Sequence, residues 1–383
     1  MQRLLEAQEF PVRHLAFASI RGSLPGLPGN FFSLVSLVKP LKEGRVMRIL
    51  LGLLFCASVL LGGGNESRAA SAPVKIVLAY ASMVARTSFI WIAKEQGFFA
   101  KYGVDPDLIL MSRGPVLIAG LTSGDVHIGN TGGTAALNAA VGGVDLKLIA
   151  TFNSRWVNNI VARASIRSPK ELRGARFGLS SLSGTAWMGA MLWLEHLGLD
   201  PRKDEIHFLA IGDQTLLAQA LENGTIDATG LDSGFSRRLK EKGFSVLTDA
   251  TQVNLPIVSQ GLVVTADYLH TQSRTVEGVL KALIEGLAFT VAPANKPSVL
   301  KTLMRHLRIN AAIAEEGYQE ILTGLDRKPY PSLEGMKNIQ RLAKIREPRI
   351  GAFNVEKLVD DTLMRKLESS GFIDRVYSQY GIK

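Results

Sequence analysis

The sequence predicts an α/β chain made of two similar units and closed by a helical tail, and three observations carry that expectation. The first is a stretch that occurs twice. Leu117-Ile-Ala-Gly-Leu121-Thr-Ser-Gly124-Asp-Val126 and Leu217-Ala-Gln-Ala-Leu221-Glu-Asn-Gly224-Thr-Ile226 place Leu, Leu, Gly and a β-branched residue at an offset of 100. Leucines four apart make a helical stripe, glycine supplies a left-handed stop, and the β-branched residue opens a strand. The second is an upstream match, Gly103-Val-Asp-Pro106 and Gly198-Leu-Asp-Pro201, at an offset of 95, which implies an insertion of about five residues between the copies. Two matches in the same order favour duplication over chance recurrence of glycine-stopped helices. The third is a change of grammar beyond Gln260: Gly261-Leu-Val-Val-Thr265 is the last clear strand, and helical segments follow near 274–292, 297–307, 311–323, 333–344 and 356–369.

Residues 1–71 are expected to stand outside the fold. Lys39, Lys42, Arg45 and Arg48 precede the apolar run Ile49–Leu61, and small residues follow through Ala69, Ser71 and Ala72, the order of a secretory signal over 47–71. The run is too short for a permanent span. Cleavage is expected near Ala72, and Met47-Arg48 would make a serviceable start, with Met1 then a mis-set one. Lipid anchoring at Cys56 is disfavoured, since Phe55 is bulky and Cys56 sits inside the apolar run.

The 383 residues carry 44 Lys plus Arg and 34 Asp plus Glu, a net charge of +10. Removing 1–71 leaves 36 against 30, a modest +6 spread along the chain. No dense basic block with interleaved aromatics occurs, which argues against a nucleic-acid partner. The single cysteine, Cys56, falls in the leader. The remainder therefore lacks a disulfide framework, a thiolate metal site and a cysteine nucleophile.

In chain order, Pro73–Ala81 reads as a strand, Ser88–Gln96 as a helix stopped by Gly97, and Ala135–Val141 as a small-residue helix stopped by Gly142-Gly143. Leu146–Thr151 and Asn158–Arg163 read as strands, and Ser168-Pro-Lys-Glu171 as a capping box with Pro at the first helical position. Ala175–Leu179 returns to strand, Ser180–Thr185 opens a helix to His196, Asp232–Lys242 is helix and Phe244–Leu247 strand.

Ser88-Phe-Ile-Trp-Ile-Ala-Lys-Glu-Gln-Gly-Phe-Phe-Ala-Lys-Tyr-Gly-Val104, with Gly120–Gly129 and Glu222-Asn-Gly-Thr-Ile-Asp-Ala228, resembles the extracytoplasmic solute-binding proteins of ABC importers, nitrate, sulfonate and taurine type, within the superfamily that also holds thiamine-pyrimidine synthases. The resemblance covers most of 73–270. It implies a two-lobed periplasmic-binding-protein fold of type II, hinged by two crossing strands, with the helical tail packed on the first lobe. The expected division is 72–157 for the first part of lobe 1, 158–260 for lobe 2, and 261–383 for the return and tail. Hinge strands are expected near Asn158–Arg163 and Gln260–Thr265.

Ligands of open α/β sheets sit beyond the carboxyl ends of the strands, where helices begin. Three helix starts, Ser82–Ser88, Thr131–Thr134 and Ser180–Thr185, lack an acid in the first turn, so their amides and positive dipole ends are open to an anion. This selects Ser82, Thr87, Thr131, Gly132, Gly133, Thr134, Ser181, Ser183, Gly184 and Thr185 as ligand-binding candidates. The competing reading makes Ser183 and Thr131 ordinary caps. Arg86 could fork onto a carboxylate or sulfonate or be solvated. Trp187 and Trp156 could stack on a planar solute or pack in the core. Phe235 stands where the resembling proteins often present a second-lobe contact, and Asp232 either meets ligand or caps its helix.

The six histidines show no metal-ligand spacing, and neither a Gly-x-Ser-x-Gly elbow nor a dinucleotide fingerprint occurs. No cofactor, metal or catalytic residue is expected. The function expected is an exported, monomeric receptor that holds a small, anionic, sulfonate-, nitrate- or taurine-like solute between two lobes for a membrane permease and its ATPase. Two alternatives remain, a binder of a heteroaromatic pyrimidine-like precursor and a synthase-like enzyme. The second is opposed by the missing cysteines.

Overall fold

The computed structural model describes residues 72–182 and 184–382. The expected signal segment, its cleavage region up to Ser71, Cys56 and Ser183 lie outside the described residues.

The first unit begins with β1 (Val74–Tyr80), α1 (Ser88–Glu95), the single turn α2 (Phe98–Lys101) and β2 (Val104–Leu110). It continues with α3 (Gly114–Ser123), β3 (Ile128–Thr131), α4 (Gly133–Val141) and β4 (Leu146–Arg155). The chain then passes to a second sheet through β5 (Asn159–Ala162), β6 (Arg176–Leu179), α5 (Thr185–His196), β7 (His207–Ala210), α6 (Gln214–Glu222), β8 (Ala228–Leu231), α7 (Ser233–Glu241) and β9 (Ser245–Val246). It returns in β10 (Pro256–Thr265).

The two sheets have matching orders, β2-β1-β3-β10-β4 and β7-β6-β8-β5-β9. In each, three parallel strands are followed by one antiparallel strand, β10 or β5, that belongs in sequence to the other half of the crossing. The repeat is therefore structural: α3, β3 and α4 correspond to α6, β8 and α7, with Gly114, Gly133 and Val141 answering Gln214, Ser233 and Glu241. The insertion at the second Gly-x-Asp-Pro motif is a turn. Asp200 accepts from the Arg202 and Lys203 amides and delays the strand to His207, whereas β2 starts at Val104, directly after Gly103.

Crossing occurs a few residues earlier than the sequence suggested. β4 and β10 pair out to Arg155 opposite Pro256, and the Trp156 amide donates to the Leu255 carbonyl at 2.9 Å. Asn158–Arg163 instead supplies β5, inside the second sheet, and Gln260–Thr265 lies inside the first. The expected helix after Ser168 is a short 3-10 turn, Pro169–Leu172, yet Glu171 still reaches back, accepting from the Arg167 amide at 2.7 Å and the Ser168 hydroxyl at 3.0 Å.

The tail comprises α8 (Ala266–Thr271), α9 (Ser273–Val291), α10 (Lys296–Leu307), α11 (Ala311–Gly324), α12 (Leu333–Ala343), α13 (Thr362–Ser369) and α14 (Phe372–Gln379). Its center is α9, whose Val276, Val279, Leu280, Leu283, Ile284 and Leu287 are fully buried with Phe89, Trp91 and Ile92 of α1. Gly286 makes the approach possible, because a Cβ there would meet the Phe89 carbonyl at 2.5 Å. Phe89 stacks on Phe152 of β4 with centroids 4.4 Å apart. Burial at about 25 cal/mol per Å² makes this aromatic and aliphatic cluster a stabilising element of the first lobe. The tail also touches the second lobe: Glu316 of α11 pairs with Arg237 and Arg238 of α7 at 2.6 and 2.9 Å, and Arg341 of α12 forks onto Glu195 of α5.

Candidate functional site

A cavity of about 1040 Å³ lies between the two sheets, and both lobes line it. Four uncapped helix starts border it. Ser82, Val84 and Arg86 come from the loop leading to α1, Arg113 and Gly114 from α3, Thr131, Gly132 and Thr134 from α4, and Gly184 and Thr185 from α5. None of these helices has a side-chain cap or an acid in its first turn. Their leading amides lack partners within the helix by construction. Two second-lobe helices differ: Asp213 caps α6, whose Gln214 also lines the cavity, and Asp232 caps α7, each accepting at 3.0 Å from the amide three residues on. The positive dipole ends of those four helices are thus left uncompensated, while those of α6 and α7 are neutralised.

The starts of α4 and α5 face each other directly. A Cβ built on Gly132 would lie 2.9 Å from Thr185 Oγ1, and Thr134 Oγ1 lies 3.5 Å from Met188 Sδ. Gly184, in the left-handed region at φ 81°, lets the chain turn from the strand end into α5.

Of the residues expected from the sequence, Ser82, Arg86, Thr131, Gly132, Thr134, Ser181, Gly184 and Thr185 line the cavity. Thr87, Gly133, Trp187 and Asp232 do not. Thr87 is fully buried and its hydroxyl donates to the Ser82 carbonyl at 3.1 Å, holding the loop. Gly133 is turned toward α12, where an added Cβ would meet Met336 and Ile339. Trp187 packs away from the cavity, under the Arg346 guanidinium at 4.3 Å. Asp232 is the α7 cap, and its own amide donates to Gln214 Oε1 at 2.8 Å.

The aromatic wall comes from Trp156 and Trp193. Trp193 is fixed by its indole N–H, which donates to the Asn158 carbonyl at 2.6 Å. Trp156 lies over Gly189 of α5, where a Cβ would sit 2.2 Å from the ring. The glycine inside an apolar helix was the sequence signal for that seat.

Arg86 is the buried cation of the cavity. Its Nη1 pairs with Glu320 of α11, with both side chains largely buried. Burial lowers the guanidinium's pKa and the nearby Asp232 carboxylate opposes this. Arg86 Nε has no partner. Sequence reasoning missed Arg113, Gln214 and Gln260, all on the lining. Gln260 had a signal, a long polar side chain inside the apolar run Pro256–Val264. Among the described residues no cluster of three or more His, Cys, Asp or Glu could hold a metal, and no helix is long and apolar enough to cross a membrane.

The family model for NMT1/THI5-like proteins matches residues 85–296, more than half of the chain. The chain belongs to the NMT1/THI5-like family. Among relatives of this NMT1/THI5-like chain, a binding protein of Brucella abortus is 27% identical over 192 residues, covering 50% of this chain and 55% of that one. The taurine-binding periplasmic protein of Escherichia coli is 28% identical over 200 residues, covering 51% and 60%. The chain thus spans little more than half the length of the curated relatives it matches. In fold it is similar to the alkanesulfonate-binding protein SsuA of Xanthomonas axonopodis pv. citri bound to MOPS, with a TM-score of 0.58 and 18% identity over 76% of this chain and 100% of that one. The architecture, two α/β lobes joined by crossing strands with the helical tail on the first, is the periplasmic-binding-protein fold.

Proposed function

We propose that this chain is the extracytoplasmic solute-binding component of an ABC importer, capturing a small anion of the sulfonate, nitrate or taurine kind between its lobes and presenting the closed form to a permease and ATPase. The observation that carries the reading is the convergence of four uncapped, acid-free helix starts, from both lobes, on one cavity. Such ends bind anions through backbone amides, and they do so best when both lobes engage. The taurine-binding relative and the fold shared with the alkanesulfonate-binding protein support the same class.

The lining supplies hydrogen-bond donors and an aromatic wall. On this reading the protein binds and releases its solute unchanged, and its partners are that solute and the importer. Calorimetric titration of the purified chain with sulfonates, nitrate and carboxylates tests the proposal. It predicts saturable one-to-one binding of at least one of these anions, with the anion recovered intact. Turnover of a bound compound, or no binding across the panel, would refute it.

A further inference from the structure

Thr87 Oγ1 makes two polar contacts, to the Ser82 carbonyl at 3.1 Å and to the Gln260 amide at 3.0 Å. A hydroxyl has one proton to give. The Ser82 carbonyl can only accept, so the Thr87 proton goes there. Gln260 must then present its NH2 group to Thr87, because the reverse orientation would leave the Thr87–Ser82 contact without a proton. That fixes the orientation of the amide: Gln260 Oε1 is directed away from Thr87 and has no donor, although the side chain is only 5% exposed. Gln260 lines the cavity.

Among the described residues, the buried side-chain polar atoms without a hydrogen bond include two sets on the cavity lining. One is the Arg86 guanidinium, whose Nε is a donor. The other is Gln260 Oε1, an acceptor. A bare anion can satisfy the first and the helix starts, since it offers acceptors. It offers nothing to the second. Gln214 does not supply the lack: its Oε1 accepts from the Asp232 amide, and its NH2 makes no bond to Gln260 Oε1, which has no hydrogen-bond partner.

We infer that Gln260 selects cargo bearing a hydrogen-bond donor beside its anionic group, so that amino- or hydroxy-substituted anions are preferred over unsubstituted alkane anions and over nitrate. This rests on the anion reading of the cleft and narrows it. A site built around a buried polar partner rejects the analogue that lacks the matching group, because the partner is then left unpaired.

The test is calorimetry of the purified full chain with three matched probes, ethanesulfonate, 2-hydroxyethanesulfonate and 2-aminoethanesulfonate. The wild type should bind at least one donor-bearing probe about tenfold or more tighter than ethanesulfonate. Gln260→Met should bring the probes to within about twofold of each other. Equal wild-type affinity for all three leaves the anion reading standing and overturns this inference alone. Binding of none removes the anion reading and the inference with it. A preference that survives in folded Gln260→Met also overturns the inference, and should that variant fail to fold, the wild-type comparison decides.

Discussion

Gly132 and Thr185, from opposite lobes, meet at the mouths of two helices: a Cβ on Gly132 would stand 2.9 Å from Thr185 Oγ1. The lobes therefore close to near contact at the point where two uncompensated dipole ends face the cavity. Gly132 has φ −73° and ψ 148°, ordinary extended backbone, so its glycine is required by the neighbour across the gap and not by its own conformation.

Substituting Gly132→Val should consequently wedge the lobes without straining either fold. The expected outcome is a melting temperature within a few degrees of wild type and an affinity for the bound anion weaker by about tenfold or more, equivalent to about 1.4 kcal/mol. Differential scanning fluorimetry paired with calorimetry checks both halves.

Gly189→Ala reverses the usual helix rule. Alanine in a helix interior is better than glycine by about 1 kcal/mol. Here the added methyl would stand 2.2 Å from the Trp156 ring, so overpacking of about 1–3 kcal/mol outweighs the propensity gain. The variant should be less stable than wild type in urea and should show altered tryptophan fluorescence. A stabilised variant would mean that Trp156 has no fixed seat.

The ion pairs of Glu316 with Arg237 and Arg238 tie the tail on lobe 1 to a helix of lobe 2. The arginines are partly exposed, so each pair adds at most about 1 kcal/mol. Their effect falls on closure. Glu316→Gln should weaken binding about threefold at low salt, with the difference shrinking in high salt as screening weakens the wild-type pairs, and should leave the melting temperature nearly unchanged. Titrations at two ionic strengths measure this.

Acid should loosen the second lobe through Asp227. The Arg176 guanidinium forks onto it at 2.9 Å, and Arg163 pairs with it at 2.6 Å. The Arg176 hydrogen bonds hold its carboxyl below the usual range, against the opposing effect of burial. A depressed folded value contributes stability that is fully present above the unfolded pKa, about 3.9, and is lost as pH falls through the folded value. Asp227→Asn should therefore cost about 2 kcal/mol at pH 7, and the gap to wild type should hold at pH 5 and begin to narrow only below about pH 4. Urea denaturation at pH 7, 5 and 3.5 follows the convergence.

Much of this architecture was legible because its signals are local. Leu117, Leu121, Gly124 and their partners at 217, 221 and 224 fix helix, stop and strand within a few residues, and the absence of an acid after Gly132 or Gly184 can be read directly. Long-range facts were not. The crossing falls at Trp156 and Leu255 because β4 and β10 stay paired to their ends, which no residue announces. Trp156 faces the cavity and Trp187 does not, because a seat over Gly189 exists for one ring while Arg346, far along the chain, covers the other. Gln260 lines the site through a hydrogen bond to Thr87, 173 residues away in sequence.

The most direct measurement is calorimetry of Thr185→Asp beside wild type, together with their melting temperatures. An acid in the first turn of α5 complements its dipole, worth about 0.3–1 kcal/mol, and places a negative charge where the account seats the anion. The account predicts that the variant melts no lower than wild type and loses anion binding by about a hundredfold or more. Unchanged affinity in a folded Thr185→Asp would contradict it, since the helix starts would then play no part in holding the solute.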